Sequence, residues 1–142
     1  MDKQIIKNII IEKQIAIPNY KLVHRDFLFG DKSNYILVGI RRAGKSYLLY
    51  QDIQTRLNKG EQSAHDILYI NFEDERLSSL KAEELGTILD SYMELYPGKQ
   101  PFVYLDEIQN IKGWEKFARR LADSQYRVVI TGSNAKMLGK EM

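Results

Sequence analysis

Apolar residues recur along this chain in two rhythms, and the alternation between them sets out an architecture. Four short runs are continuously apolar or nearly so: Tyr35-Ile36-Leu37-Val38, Ile67-Leu68-Tyr69-Ile70-Asn71-Phe72, Phe102-Val103-Tyr104-Leu105 and Arg127-Val128-Val129-Ile130-Thr131. Runs of that length, rich in β-branched and aromatic residues, read as buried strands. Between them apolar residues fall at helical spacing: Leu49, Ile53 and Leu57; then Leu85, Ile88, Leu89, Tyr92, Leu95 and Tyr96; then Trp114, Phe117, Ala118 and Leu121. Asn58-Lys59-Gly60 and Pro97-Gly98 are stops for the first two of these helices. Ahead of the first strand, Ile5, Ile6, Ile9, Ile10 and Ile15 predict an amphipathic helix over 3–16 that ends before Pro18, although so many isoleucines also suit a strand. Asn19 to Asn34 reads as a connector, closed by the turn-like Gly30-Asp31-Lys32-Ser33. Strands alternating with helices predict an α/β fold, a mainly parallel sheet covered on both faces. The expected division is 1–34 as N-terminal helix and connector, and 35–142 as the core.

Bulk properties narrow the class. The chain has 142 residues, a formal net charge of +2 and no cysteine. Without cysteine there are no disulfides, no cysteine zinc sites and no thiol catalysis, which suits a reducing, cytoplasmic setting. No apolar run approaches the roughly 18 residues of a membrane span, and residues 1–6 lack the apolar core of a secretory signal. The small net charge makes no case for a nucleic-acid partner and does not exclude one.

Between the first strand and the first helix after it stands Gly39-Ile40-Arg41-Arg42-Ala43-Gly44-Lys45-Ser46, the G-x-x-x-x-G-K-[ST] pattern of a phosphate-binding loop. By composition alone it would arise in roughly one chain of this length in two hundred, and the flanking strand and helix make accident rarer. Glycines let the backbone close around an anion. The helix opening at Lys45 then aims its unpaired N–H groups and positive dipole end at the phosphates. Candidate nucleotide-binding residues are therefore Gly39, Arg41, Arg42, Ala43, Gly44, Lys45, Ser46 and Tyr47. The backbone amides from Arg42 to Tyr47 supply most of the hydrogen bonds. Lys45 is the charge for the β- and γ-phosphates, and the Ser46 hydroxyl the magnesium ligand. Arg41 and Arg42 either assist the phosphates or pair with surface carboxylates.

Asp106-Glu107 follows the third strand directly, in the Walker B pattern, where a parallel sheet binds its ligands. Asp106 is the candidate second holder of magnesium, and Glu107 the candidate base that polarises water. The plainer reading is a pair of carboxylates that cap the next helix or face solvent. Ser133, after the fourth strand, is a candidate γ-phosphate sensor, an N-cap for 135–138, or both. Glu73-Asp74-Glu75 reads as a solvated acidic turn, His24 and His65 as surface residues, and Trp114 as core.

The loop, Asn71-Phe72-Glu73-Asp74, Leu105-Asp106-Glu107-Ile108-Gln109 and Thr131-Gly132-Ser133, in that order, resemble the AAA-type branch of the P-loop ATPases. More narrowly, they resemble predicted prokaryotic ATPases that usually carry a C-terminal domain of uncharacterised, possibly nuclease-like, function. The resemblance runs from about Tyr35 to the end. It implies a three-layer α/β/α P-loop fold with the Ser133 strand between the loop strand and the Asp106 strand, and ATP with Mg2+ as cofactors. It also implies a fifth strand, an arginine finger, a helical lid and a further domain. The chain is therefore expected to be the N-terminal ATPase part, truncated after the fourth strand and slow in turnover. An unpaired edge on the loop strand invites self-association. Hydrolysis of ATP is the leading activity, and Glu107 favours it. A nucleotide-binding switch or scaffold with little hydrolysis is the alternative, favoured by the missing lid. A small-molecule kinase fits less well, because no arginine-rich lid is in view.

Overall fold

In the computed structural model, residues 1–23, 29–30, 34–39 and 44–133 are described. Helix α1 runs Lys3–Ala16, strand β1 Tyr35–Val38, helix α2 Lys45–Asn58, strand β2 Ile67–Asn71, helix α3 Gly86–Leu95, strand β3 Phe102–Asp106, helix α4 Glu115–Asp123 and strand β4 Val128–Gly132. All three strand pairings are parallel, in the order β1-β4-β3-β2. The fold is α/β, and β4 lies between the loop strand and the Asp106 strand, as expected.

Strands β2, β3 and β4 are mostly apolar and buried on both faces, β1 is half-buried, and side chains alternate between the faces. Leu68, Ile70, Val103, Leu105, Val128 and Ile130 point into a core completed by α1, α3 and α4. Ile67, Tyr69, Tyr104 and Val129 point the other way, onto Leu49 and Ile53 of α2. Three layers result, with α1, α3 and α4 on one face and α2 on the other.

Helix α1 starts where Asp2 accepts a hydrogen bond from the Gln4 backbone amide at 2.8 Å. It leads at its end into a one-turn 3-10 helix, Ile17–Asn19, with Pro18 in its first turn. Ile6, Ile9 and Ile10 are buried, whereas Ile15 is 65% exposed. Nine residues at 100° each put Ile15 half a turn away from Ile6, so the isoleucines do not share one face. Gln14 takes the inward position instead. Its amide donates to the Ile67 carbonyl of β2 (2.9 Å) and its side-chain oxygen accepts from the Tyr96 hydroxyl (2.7 Å).

A second polar group is buried on the α2 face. Asp52 Oδ2 accepts from Tyr104 hydroxyl (2.6 Å), Arg56 Nε (3.1 Å) and Arg127 Nη1 (3.3 Å). Arg127 also donates to the Gly30 carbonyl from Nε and Nη2, which ties the segment before β1 to the start of β4. Every buried side-chain polar atom among the described residues has a partner. No helix among them is long and apolar enough to cross a membrane.

Removing one partner from the Asp52 group leaves buried charge uncompensated. Arg127→Leu is therefore expected to cost roughly 3–5 kcal/mol, read from urea unfolding. Burial, and next the Asp52 carboxylate, pushes the Tyr104 phenol up, and burial does the same to Tyr92. Unfolded tyrosines ionise near 10, so this stability is complete below pH 10 and falls as pH rises above it. The urea midpoint should drop between pH 9.5 and 11, with a shallower drop in Tyr104→Phe.

Candidate functional site

Parallel strands end at a common edge, and the candidate residues of β3 and β4 emerge there beside the start of α2. Asp106 closes β3 on the same side as Tyr104, two residues back, which turns its carboxylate toward α2. The same parity brings Tyr69 of β2 and Thr131 of β4 to that face. Gly44 is the N-cap of α2, and its φ of 89° is left-handed and open to glycine at little cost. That start points the amides of its first turn and the Ser46 hydroxyl at the edge.

Ser46 Oγ donates to Asp106 Oδ2 at 2.7 Å. The Tyr69 hydroxyl donates to the same oxygen, and Thr131 Oγ1 donates to Asp106 Oδ1. Asp106 is 0% exposed, so its charge is stabilised by these bonds and not by water. Burial, and next the Asp106 charge, pushes the Tyr69 phenol well above its ordinary value, which keeps its proton available for donation. The Tyr50 hydroxyl lies 3.2 Å from that of Tyr69, positioned to donate into it.

Glu107 sits one residue on, in the left-handed region at φ 56° and ψ 47°. Side chains pay for that conformation, and hydrogen bonds hold it. Its backbone N–H donates to Thr131 Oγ1 (3.0 Å), and its carbonyl accepts from the Asn110 side chain (2.9 Å). The turn swings its carboxylate away from Asp106 and toward the end of β4. There Oε1 accepts from Ser133 Oγ (2.6 Å) and Gln109 Nε2 (2.9 Å), and Gln109 also donates to Ser133 Oγ (3.2 Å). Neither carboxylate caps the following turn through its side chain.

The remaining candidates fall as follows. Lys45 is buried, and a Cβ built on Gly39 would lie 3.7 Å from its Nζ, so the ammonium folds back over the Gly39 backbone. Gly39 N–H donates to the Gly132 carbonyl at 3.2 Å, continuing the pairing of β1 with β4. Tyr47 is 57% exposed and meets Tyr50 edge-on at 5.9 Å. Arg41, Arg42, Ala43, His24 and the segment 135–138 lie outside the described residues. Asp74 accepts from the Arg76 backbone and guanidinium, and Arg76 reaches Glu12, so Asp74 is engaged by an ion pair. His65 is exposed and stacked on Tyr96, and Trp114 is core.

Three residues of this arrangement were not singled out in the sequence: Tyr69, Thr131 and Gln109. Tyr69 and Thr131 carry a signal in retrospect, since each shares its strand's α2-facing parity. Gln109 stands in a motif that carries the resemblance but has no role readable from spacing, because a 3-10 turn, Ile108–Asn110, brings it back.

A carboxylate and a hydroxyl one hydrogen bond apart are hard oxygen donors of the kind magnesium takes, usually with water and phosphate completing its shell. Asp106 and Ser46 therefore fit such an ion. Among the described residues there is no cluster of three or more His, Asp or Glu that would form an all-protein cage.

A helix N-terminus at the carboxyl edge of a parallel sheet, with carboxylates at the end of the strand next but one, is an arrangement suited to a phosphate-bearing ligand. The family model for the AAA domain matches residues 31–142, and the chain belongs to that family. An uncharacterised protein of Methanocaldococcus jannaschii is 37% identical over 145 aligned positions, covering 100% of this chain and 31% of the relative. An uncharacterised protein of Haemophilus influenzae is 36% identical over 111 positions, covering 75% of this chain and 27% of the relative. The chain thus spans less than a third of the length of these relatives. No solved structure matches it.

Asp106→Ala would strip the acceptor from three hydroxyls at once. It is expected to destabilise by roughly 3 kcal/mol or more, and Asp106→Asn, which keeps an oxygen and lets hydroxyls rotate, by clearly less. Urea unfolding of the two variants checks that order.

Proposed function

We propose that this module binds ATP with Mg2+ at the carboxyl edge of the sheet and hydrolyses it. The observation that carries the reading is the Ser46–Asp106 hydrogen bond, which joins the loop helix to the third strand through the two side chains suited to a divalent ion. The amides of the first turn of α2 and the Lys45 ammonium bind the phosphates. Ser46 and Asp106 hold the ion, which when bound offsets negative charge on the phosphate oxygens. Glu107 accepts a proton from the water that attacks the γ-phosphorus, and ADP departs with inorganic phosphate as the second product. Oε1 of Glu107 is held by Ser133 and Gln109, which leaves Oε2 as the oxygen to take the proton. Gly39, Arg41, Arg42, Ala43, Gly44 and Tyr47 complete the nucleotide contacts in this reading. What the hydrolysis drives lies in the longer proteins of which such modules form part.

A second reading is a nucleotide-binding switch with little turnover. The engagement of Glu107 by Ser133 and Gln109 favours it, because a base so held is a base at rest.

Single-turnover release of phosphate from Mg-ATP, in wild type beside Glu107→Gln with binding measured in both, separates the two. Hydrolysis predicts a fall of roughly a hundredfold or more in the variant with binding retained. Tight binding with no release from either protein would leave the switch.

A further inference from the structure

Resting on the reading of Ser46 and Asp106 as the holders of the cation, we propose that Tyr69 is a positioning residue that keeps the Asp106 carboxylate in place when Ser46 turns from it to the ion. Ser46 and Tyr69 donate to the same oxygen, Oδ2, while Thr131 donates to Oδ1. Once Ser46 leaves, Tyr69 is the donor that remains on Oδ2. With Thr131 on the other oxygen, the carboxylate is pinned at both ends and cannot rotate about its last bond.

The pins sit on rigid supports. Tyr69 is inside β2 and 1% exposed, and its ring is packed by Tyr50 at 5.4 Å between centroids. The Lys13 ammonium of α1 lies 5.7 Å from the centre of the same ring. Thr131 is fixed in turn by the Glu107 amide. A phenylalanine at 69 would fill the same volume with no buried polar atom to satisfy. The hydroxyl is therefore accounted for by what it holds, not by packing. Groups that hydrogen-bond a metal-ligating carboxylate set its orientation, and their loss weakens the metal more than the fold.

The test is binding of a methylanthraniloyl derivative of ATP to wild type, Tyr69→Phe, Thr131→Val and Asp106→Asn, once in EDTA and once titrated with Mg2+. Thermal melting is followed in parallel. Tyr69→Phe is expected to raise the Mg2+ concentration at half-effect roughly tenfold, with EDTA affinity close to wild type and melting lowered only by the loss of one hydrogen bond to a buried carboxylate. Thr131→Val should act in the same direction. An unchanged Mg2+ dependence in Tyr69→Phe, while Asp106→Asn shifts it, would overturn the role of Tyr69 alone. Equal losses with and without Mg2+, accompanied by a lower melting temperature, would overturn it too, as the mark of a structural residue. Wild-type binding indifferent to Mg2+, or indifferent to Asp106→Asn, would bring down the cation reading underneath.

Discussion

A carboxylate with no access to water survives only where hydrogen-bond donors replace its solvent, and at Asp106 the donors come from three different elements. Ser46 belongs to α2, Tyr69 to β2 and Thr131 to β4, with the acceptor on β3. The start of the loop helix and the ends of three strands are thereby held to one point. If any of them shifted, a donor would leave the carboxylate and its charge would be less well compensated. The geometry of the candidate site is in this sense a condition for the stability of the edge.

The same helix is held a second time, further along. Asp52, two turns after Ser46, is bonded to Tyr104 of β3 and to Arg127 at the entrance to β4. Leu49 fills the space between with apolar contact, and Ile53 packs beside Asp52. Two buried polar anchors, with a hydrophobic patch between them, fix both the height and the rotation of α2 over the sheet. Hydrophobic burial alone tolerates sliding, whereas hydrogen bonds to buried charge do not. The first-turn amides of α2 are thus aimed at the edge by contacts on either side of the core.

Glu107 illustrates a division of labour between neighbouring residues. Had β3 continued as regular strand, alternation would have sent its side chain to the opposite face from Asp106. The left-handed turn at Glu107 instead keeps the carboxylate at the edge, beside Ser133 and Gln109. Thr131 links the two acidic residues, accepting the Glu107 amide while donating to Asp106. One threonine therefore couples the position proposed for the ion to the position proposed for the base.

Much of this was legible along the chain, for reasons that can be named. Four compact apolar runs became four strands, β2, β3 and β4 buried nearly throughout and β1 half-buried with Val38 exposed. The helices 3–16 and 45–58 ended where Pro18 and Gly60 say they must, and Gly44 marks the turn from loop to helix. Asp106 and Glu107 announced themselves as carboxylates directly after an apolar run. Local sequence carries such signals because backbone preference and burial act over a few residues at a time. It also misled in one detail, since Ile15 shares the composition of the α1 stripe but not its angle. The sheet order was expected only from resemblance, because no local preference says which strand pairs with which. Only the folded chain decided that Tyr69, Thr131 and Gln109 belong to the site. The partners Asp106 of Tyr69, Asp106 of Thr131 and Ser133 of Gln109 lie 37, 25 and 24 residues away, and a hydrogen bond between distant side chains is selected by strand register and helix placement, which no single segment contains.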